Sequence, residues 1–182
     1  MKRGLILIDV QNDYFTGGSM ELVAMDEAAA NCRRLLDAFR DEAAPLFHIQ
    51  HIATRPGATF FVADTPGCKI NNQVQPREDE TVVIKHFPSA FRDTELQSLL
   101  QQADVEELVI CGAMTHMCVD TTTRAAFDLG FRCHVIADAC ATRDLEFDGR
   151  QVKAAAVQDA FMAALGMPFA QISSTEQFLA GR

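Results

Sequence analysis

A carboxylate, an ammonium and a thiol can together transfer an acyl group, and this chain places one of each just after an apolar run. Asp9 closes LILID, Lys85 closes TVVIK, and Cys118 follows LVICG by a short turn. An ammonium near a thiol favours the thiolate, and a carboxylate beside both can accept the thiol proton and return it to a departing amine. Cys118 is predicted in the first turn of a helix, where unpaired N–H groups and the positive end of the dipole also favour a thiolate and can hold an oxyanion. Those roles describe amide cleavage through a thioester. Two plainer readings stand beside this one. The first makes Cys118 a small buried apolar residue, the usual fate of a free cysteine. The second makes Asp9 and Lys85 a structural ion pair, an explanation weakened at a strand end because an isolated buried charge there is costly.

The elements that must position these side chains follow from the apolar patterning. Leu5 to Ile8 is a continuous run suited to a central parallel strand. QNDYFTGGSMELV reads as a loop, and Asp26 can cap a helix reaching Ala44 with Ala29, Cys32, Leu35, Leu36 and Phe39 on one side. Pro45 ends that helix, and LFHIQHI forms a second strand with His48 and Gln50 on one face and His51 on the other. Ile52 to Thr81 is a long stretch around Phe60, Phe61 and Val62 whose length suits either a lid or a subunit contact. Thr81 to Ile84 is a third strand, HFPSAF a turn, and Asp93 or Thr94 caps a short helix carrying Leu96, Leu99 and Leu100.

Leu108 to Cys111 is a fourth strand, broken by Gly112; Val119, Thr122, Ala126 and Leu129 then mark a helix that Gly130 stops. A fifth strand from Arg132 to Ala137, the loop DACATRDLEFDG, a helix from about Arg150 to Leu165 and a last strand, FAQIS, complete the order. The alternation predicts one α/β domain over residues 1–182: three α-β-α layers around a mostly parallel, Rossmann-like sheet of six strands. In such a sheet the carboxyl ends of the strands share one edge, so Asp9, Lys85 and Cys118 can converge there.

Composition narrows the classes. A formal net charge of -9, with Lys and Arg scattered, leaves no nucleic-acid footprint. CGAMTHMC holds one glycine, too few for a phosphate or dinucleotide loop. The apolar run after MKRG is too short for a signal-peptide core, and nothing approaches the roughly 20 apolar residues of a membrane span, so a cytoplasmic protein without membrane partners is expected. The six cysteines, at 32, 68, 111, 118, 133 and 140, form no CxxC pair and read as reduced thiols.

Three motifs in order, LILIDVQNDYF, VIKHFPSAFRDTEL and VICGAMTHMCVDTTTRAAFDLGF, followed by DACATRD, resemble those of the isochorismatase-like cysteine hydrolases. That superfamily contains nicotinamidases, N-carbamoylsarcosine and ureidoacrylate amidohydrolases, and isochorismatases. The resemblance covers nearly the whole chain. It implies Cys118 as nucleophile, Asp9 as general acid/base and Lys85 as the cation supporting both. It also implies a cis bond between Ala113 and Met114 that aims the backbone N–H groups of Met114 and Cys118 at an oxyanion, and a homo-oligomer, dimer or tetramer. The nicotinamidase branch binds a divalent metal through an Asp-x-His pair after the second strand. Here Gln50, His51 and Ile52 stand in its place, and His48 and His51 fall on opposite faces, so neither a catalytic metal nor another cofactor is expected.

Gln11, Phe15, Phe60, His86, Phe91 and Thr115 are the candidates for a substrate pocket, while His116 is expected to diverge from Cys118 toward solvent or a neighbouring subunit. The leading expectation is a metal-independent cysteine hydrolase of a small amide or ureido compound. Its rivals are an isochorismatase-type vinyl ether hydrolase, which needs no sulfur, and a non-catalytic oligomer that binds a small molecule. The sequence leaves the substrate open.

Overall fold

In the computed structural model, which describes residues 1–181, strand β1 (Arg3–Ile8) is buried on both faces because its alternate side chains enter two separate cores. Leu5 and Leu7 meet helix α1 (Met25–Asp41), whose buried Ala28, Ala29, Cys32, Leu35, Leu36 and Phe39 recur at helical spacing. The chain continues through β2 (Leu46–His51), β3 (Thr81–Lys85), α2 (Leu96–Gln102) and β4 (Glu107–Ala113). A π-helical turn (Thr115–Val119) leads into α3 (Asp120–Asp128) and then β5 (Arg132–Ala141). After β6 (Leu145–Phe147) and β7 (Arg150–Val152) come α4 (Ala154–Leu165), β8 (Gln171–Ser173) and α5 (Thr175–Ala180). Ile6 and Ile8 face the second core, with Leu96 and Leu100 of α2, Ala126 of α3, and Met162 and Leu165 of α4.

Six strands form one parallel sheet in the order β3-β2-β1-β4-β5-β8, with helices on both sides. The three-layer α/β expectation therefore holds, and the structure differs from the patterning in its details. Helix α1 starts after Ala24, in a left-handed conformation, without a side-chain cap from Asp26. It stops at Asp41, ahead of Ala43 at φ 50°. Strand β5 runs on to Ala141 because its pairing with β4 jumps from Ile110–Val135 to Gly112–Cys140. The segment read as a loop and the start of a helix is the β6–β7 hairpin, turned by Asp148 and Gly149, both at positive φ, so α4 begins at Ala154. Helix α5 was not anticipated, although Ser174 and Gln177 form its capping box. None of the helices among the described residues is long and apolar enough to cross a membrane.

The long segment between β2 and β3 is tied back at Glu80. Its carboxylate takes two bonds from Arg40 of α1, at 2.6 and 2.8 Å, and one each from His48 and the Arg77 N–H. Burial opposes ionisation of Glu80, yet the Arg40, Arg77 and His48 bonds outweigh it and hold the pKa at about 2, against 4.5 for the free group. A pKa depressed by folding means stability that is present above pH 4.5 and lost as the pH falls toward 2. Glu80→Gln should lower Tm by about 5 °C at neutral pH. The gap from the parent protein should close as calorimetric scans are repeated from pH 4.5 down toward 2.

Candidate active site

Asp9 follows β1, His51 ends β2, Lys85 ends β3, and Cys118 lies in the turn after β4, so four neighbouring strands deliver one residue each to one edge of the sheet. Asp9 leaves its strand at φ 51°, a left-handed conformation that costs a non-glycine residue about 1–3 kcal/mol. Lys85 Nζ lies 2.7 Å from Asp9 Oδ2 and donates to His51 Nδ1 at 2.9 Å, the Phe87 carbonyl at 3.1 Å and Cys118 Sγ at 3.2 Å. Asp9 and Lys85 are fully buried. Three ammonium protons cannot serve four acceptors. The contact with Asp9 is the shortest of the four and joins the two opposite charges directly.

The protonation states follow from that enclosure. Burial raises the Asp9 pKa, with Lys85 opposing the rise in part. Burial works against the charge of Lys85 too, but Asp9 and Cys118 prevail and its pKa rises. Burial drives the Cys118 thiol far above its ordinary range; the Asp9 charge adds to the rise, and Lys85 resists without prevailing. Cys118 therefore holds its proton at rest, because burial opposes a new anion more strongly than one shared ammonium favours it. Asp9, with a carboxylate oxygen within 4.8 Å of Sγ, is the base in place to take that proton.

His51 is the residue that patterning undervalued. Burial and then the Lys85 charge push its pKa down to about 3, so the ring is neutral, with Nδ1 accepting from Lys85 and the proton on Nε2. Gln11 fixes it from behind, donating to the His51 and Cys68 carbonyls and accepting the His51 N–H. Beneath the ring lies Phe61, 5.6 Å between centroids, whose own N–H is held by Asp13 Oδ2. The topology contained the signal, since β2 lies between β1 and β3 and pairs His51 with Lys85. Asp9, His51 and Cys118 bring an oxygen, a nitrogen and a sulfur within 4.8 Å of one another, a donor set that could ligate a metal. The Lys85 ammonium contacts all three, which puts a fixed cation among them.

The turn carrying Cys118 is shaped by Gly112, at φ 118°, where a Cβ would collide with the Ile8 carbonyl oxygen. The Ala113–Met114 peptide bond is cis. The Met114 carbonyl accepts the N–H groups of Met117 and Val119 but not that of Cys118 between them. Thr115 is fully buried and bonds the Ala141 carbonyl and Gln158.

Beside this turn opens a cavity of about 380 Å³. Met20, Phe60, Met114 and Met117 supply its apolar lining; His51, His86, His116, Arg55 and Arg143 supply its polar lining. Of the proposed pocket residues, Phe60 and His86 line it and four do not. Gln11 is spent on His51, Thr115 is sealed behind the turn, Phe15 lies in the α1-side core, and Phe91 packs against Phe131. His116 faces the cavity, anchored by its Nδ1 to Thr142 Oγ1 at 2.6 Å.

Comparison with known proteins places this geometry. Residues 3–177 match the isochorismatase domain. The isochorismatase family protein YddQ of Bacillus subtilis (strain 168) is 46% identical over 179 residues, covering 98% of this chain and 99% of its own. A crystal structure from Oleispira antarctica described as an isochorismatase hydrolase superposes with a TM-score of 0.95 at 46% identity, covering 99% of this chain and 97% of that one. A streptothricin hydrolase of Streptomyces noursei is 37% identical over 146 residues, 79% of this chain and 51% of its own.

The buried pair makes a prediction about stability. Asp9→Asn and Lys85→Met each strand the partner's charge and should cost about 3–5 kcal/mol of unfolding free energy. The double variant removes both charges and should regain most of that loss in urea denaturation. Additive losses would show that the two groups are not energetically paired.

Proposed function

This chain belongs to the isochorismatase family of hydrolases, and on that premise we propose that it cleaves a C–N bond, amide or ureido, of a small molecule through a thioester on Cys118. The observation that carries the reading is the shared contact of Lys85 with Asp9 and Cys118 in a dry recess beside the cavity. As Sγ attacks the carbonyl carbon, its proton passes to Asp9, and the new charge on the carbonyl oxygen is taken by the N–H groups of Met114 and Cys118. Asp9, carrying the proton, gives it to the nitrogen as the C–N bond breaks and the amine or ammonia departs. Water then adds to the thioester with Asp9 accepting its proton; the acid leaves and the proton returns to sulfur.

Lys85 keeps its charge throughout. It offsets Asp9 in the resting state and the developing sulfur anion during attack, while neutral His51 accepts one of its protons and holds the ammonium in place. Hydrolysis fits the relative named for acting on streptothricin, and the sulfur favours C–N cleavage over vinyl ether cleavage. A panel of small amides and ureides, scored by amine or ammonia release, tests this. Cys118→Ala should reduce kcat/KM by about 10³-fold or more, and mass spectrometry of quenched mixtures should find the acyl group on Cys118 in the parent enzyme. Hydrolysis undiminished by Cys118→Ala would reject the thioester route and favour ether hydrolysis.

A further inference from the structure

Helix α4 reaches the turn that carries Cys118, although it supplies none of the groups that meet the reacting atoms. Gln158 stands half-buried on the inner face of this helix, next to buried Val157. Its amide has partners on two different elements: Nε2 donates to the Ala137 carbonyl of β5 at 2.9 Å, and Oε1 accepts the Thr115 hydroxyl at 2.6 Å. Further along the same face, Phe161 meets the ring of His116 edge-on, 6.0 Å between centroids. Helix α4 thus grips the two residues that open the nucleophile turn. Ala137 lies where β5 departs from β4, between the Ile110–Val135 and Gly112–Cys140 pairs. Three successive carbonyls of that departure take side-chain donors: Ala137 from Gln158, Asp138 from Asn31 and Ala139 from Cys32. Beyond it Ala141 pairs with Ala113, and its carbonyl lies 3.2 Å from the Thr115 hydroxyl. A hydroxyl has one proton, and the shorter contact directs it to Gln158. Gln158 therefore sets where Thr115 stands relative to β5.

We propose that Gln158 is a positioning residue for acyl transfer: through Thr115 it holds the Met114 and Cys118 N–H groups where the oxyanion forms. This rests on the reading of Cys118 as the attacking group. Without the amide, the Thr115 proton passes wholly to the Ala141 carbonyl, so the buried hydroxyl keeps a partner and the fold survives, while the turn relaxes toward β5. Donors aimed at an oxyanion lose their effect with small displacements. Attack by sulfur on a saturated carbon forms no oxyanion and needs no such donors. Gln158 accordingly matters to one kind of reaction at Cys118 and not to the other.

Two reagents separate these reactions at the same sulfur without requiring the natural substrate. p-Nitrophenyl acetate acetylates Cys118 through a tetrahedral oxyanion: the sulfur–carbonyl bond forms, nitrophenolate leaves and the thiol proton stays on Asp9. Iodoacetamide alkylates the same sulfur by displacing iodide, with the proton taken in the same way. Both rates are read at Cys118 by peptide mass spectrometry. Gln158→Ala and Thr115→Val should each slow acetylation about tenfold or more and leave alkylation within about twofold of the parent. The double variant should be no slower than either single one, because the two side chains act as one contact. Thr115→Ser, which keeps the hydroxyl, should recover most of the acetylation rate. Asp159→Asn, on the exposed face of α4, should change neither reaction. Equal slowing of both reactions in Gln158→Ala, or acetylation at the parent rate, overturns the positioning role and leaves the thioester route standing. A parent Cys118 that iodoacetamide labels and the ester does not acetylate rejects the thioester route, and the positioning role with it.

Discussion

The fully buried contact between Asp9 and Lys85 is the constraint to which the rest of this edge of the molecule answers. Neither charge is tolerable alone where solvent has no access, so each fixes the other's place. The sheet order adds a condition: Asp9 ends β1 and Lys85 ends β3, with β2 between them. Strand spacing puts those ends roughly 10 Å apart, a gap that a long side chain can bridge across the end of β2 and a short one cannot. The residue it must pass is His51. That histidine is neutral because it stands in the path of an ammonium, and Gln11, Asp13 and Phe61 hold it there.

The same enclosure decides how the thiol behaves. An open helix terminus beside an ammonium favours a thiolate, and that is the state the residue types alone suggest. Here the ammonium is already divided among Asp9, His51 and a carbonyl, and burial exceeds what remains for sulfur. Keeping the proton on sulfur protects the group from casual oxidation and couples its activation to Asp9. Asp9 in turn has a pKa raised by burial, which suits a group meant to carry a proton between sulfur and nitrogen.

What the sequence made legible was the part governed by apolar periodicity. Runs such as LILI and LVIC are buried on both faces wherever they fall, so the strands, their parallel direction and the shared edge reached by Asp9, Lys85 and Cys118 follow from the alternation of apolar runs and helical segments. Three kinds of fact lay outside it. The pairing of His51 with Lys85 depends on strand order, which no local window contains. The inward turn of Gln11 and Thr115, two polar residues read as pocket lining, depends on backbone carbonyls supplied by distant segments. The Asp148–Gly149 hairpin and the Ser174 capping box did carry local signals, overshadowed by the expectation of a longer helix and a bare strand end.

The division between what was and was not legible coincides with a division of labour. The groups that would make and break bonds stand on strand ends, which tolerate almost no displacement because parallel pairing and two cores hold them. The groups that would choose a substrate stand on connections: Arg55 and Phe60 after β2, His86 after β3, and Arg143 between β5 and the β6–β7 hairpin. Connections can change length and charge without disturbing the sheet. Loops that line the cavity can therefore vary while the buried ion pair at the strand ends stays fixed, and in this chain those loops bring Arg55, His86 and Arg143 to the cavity.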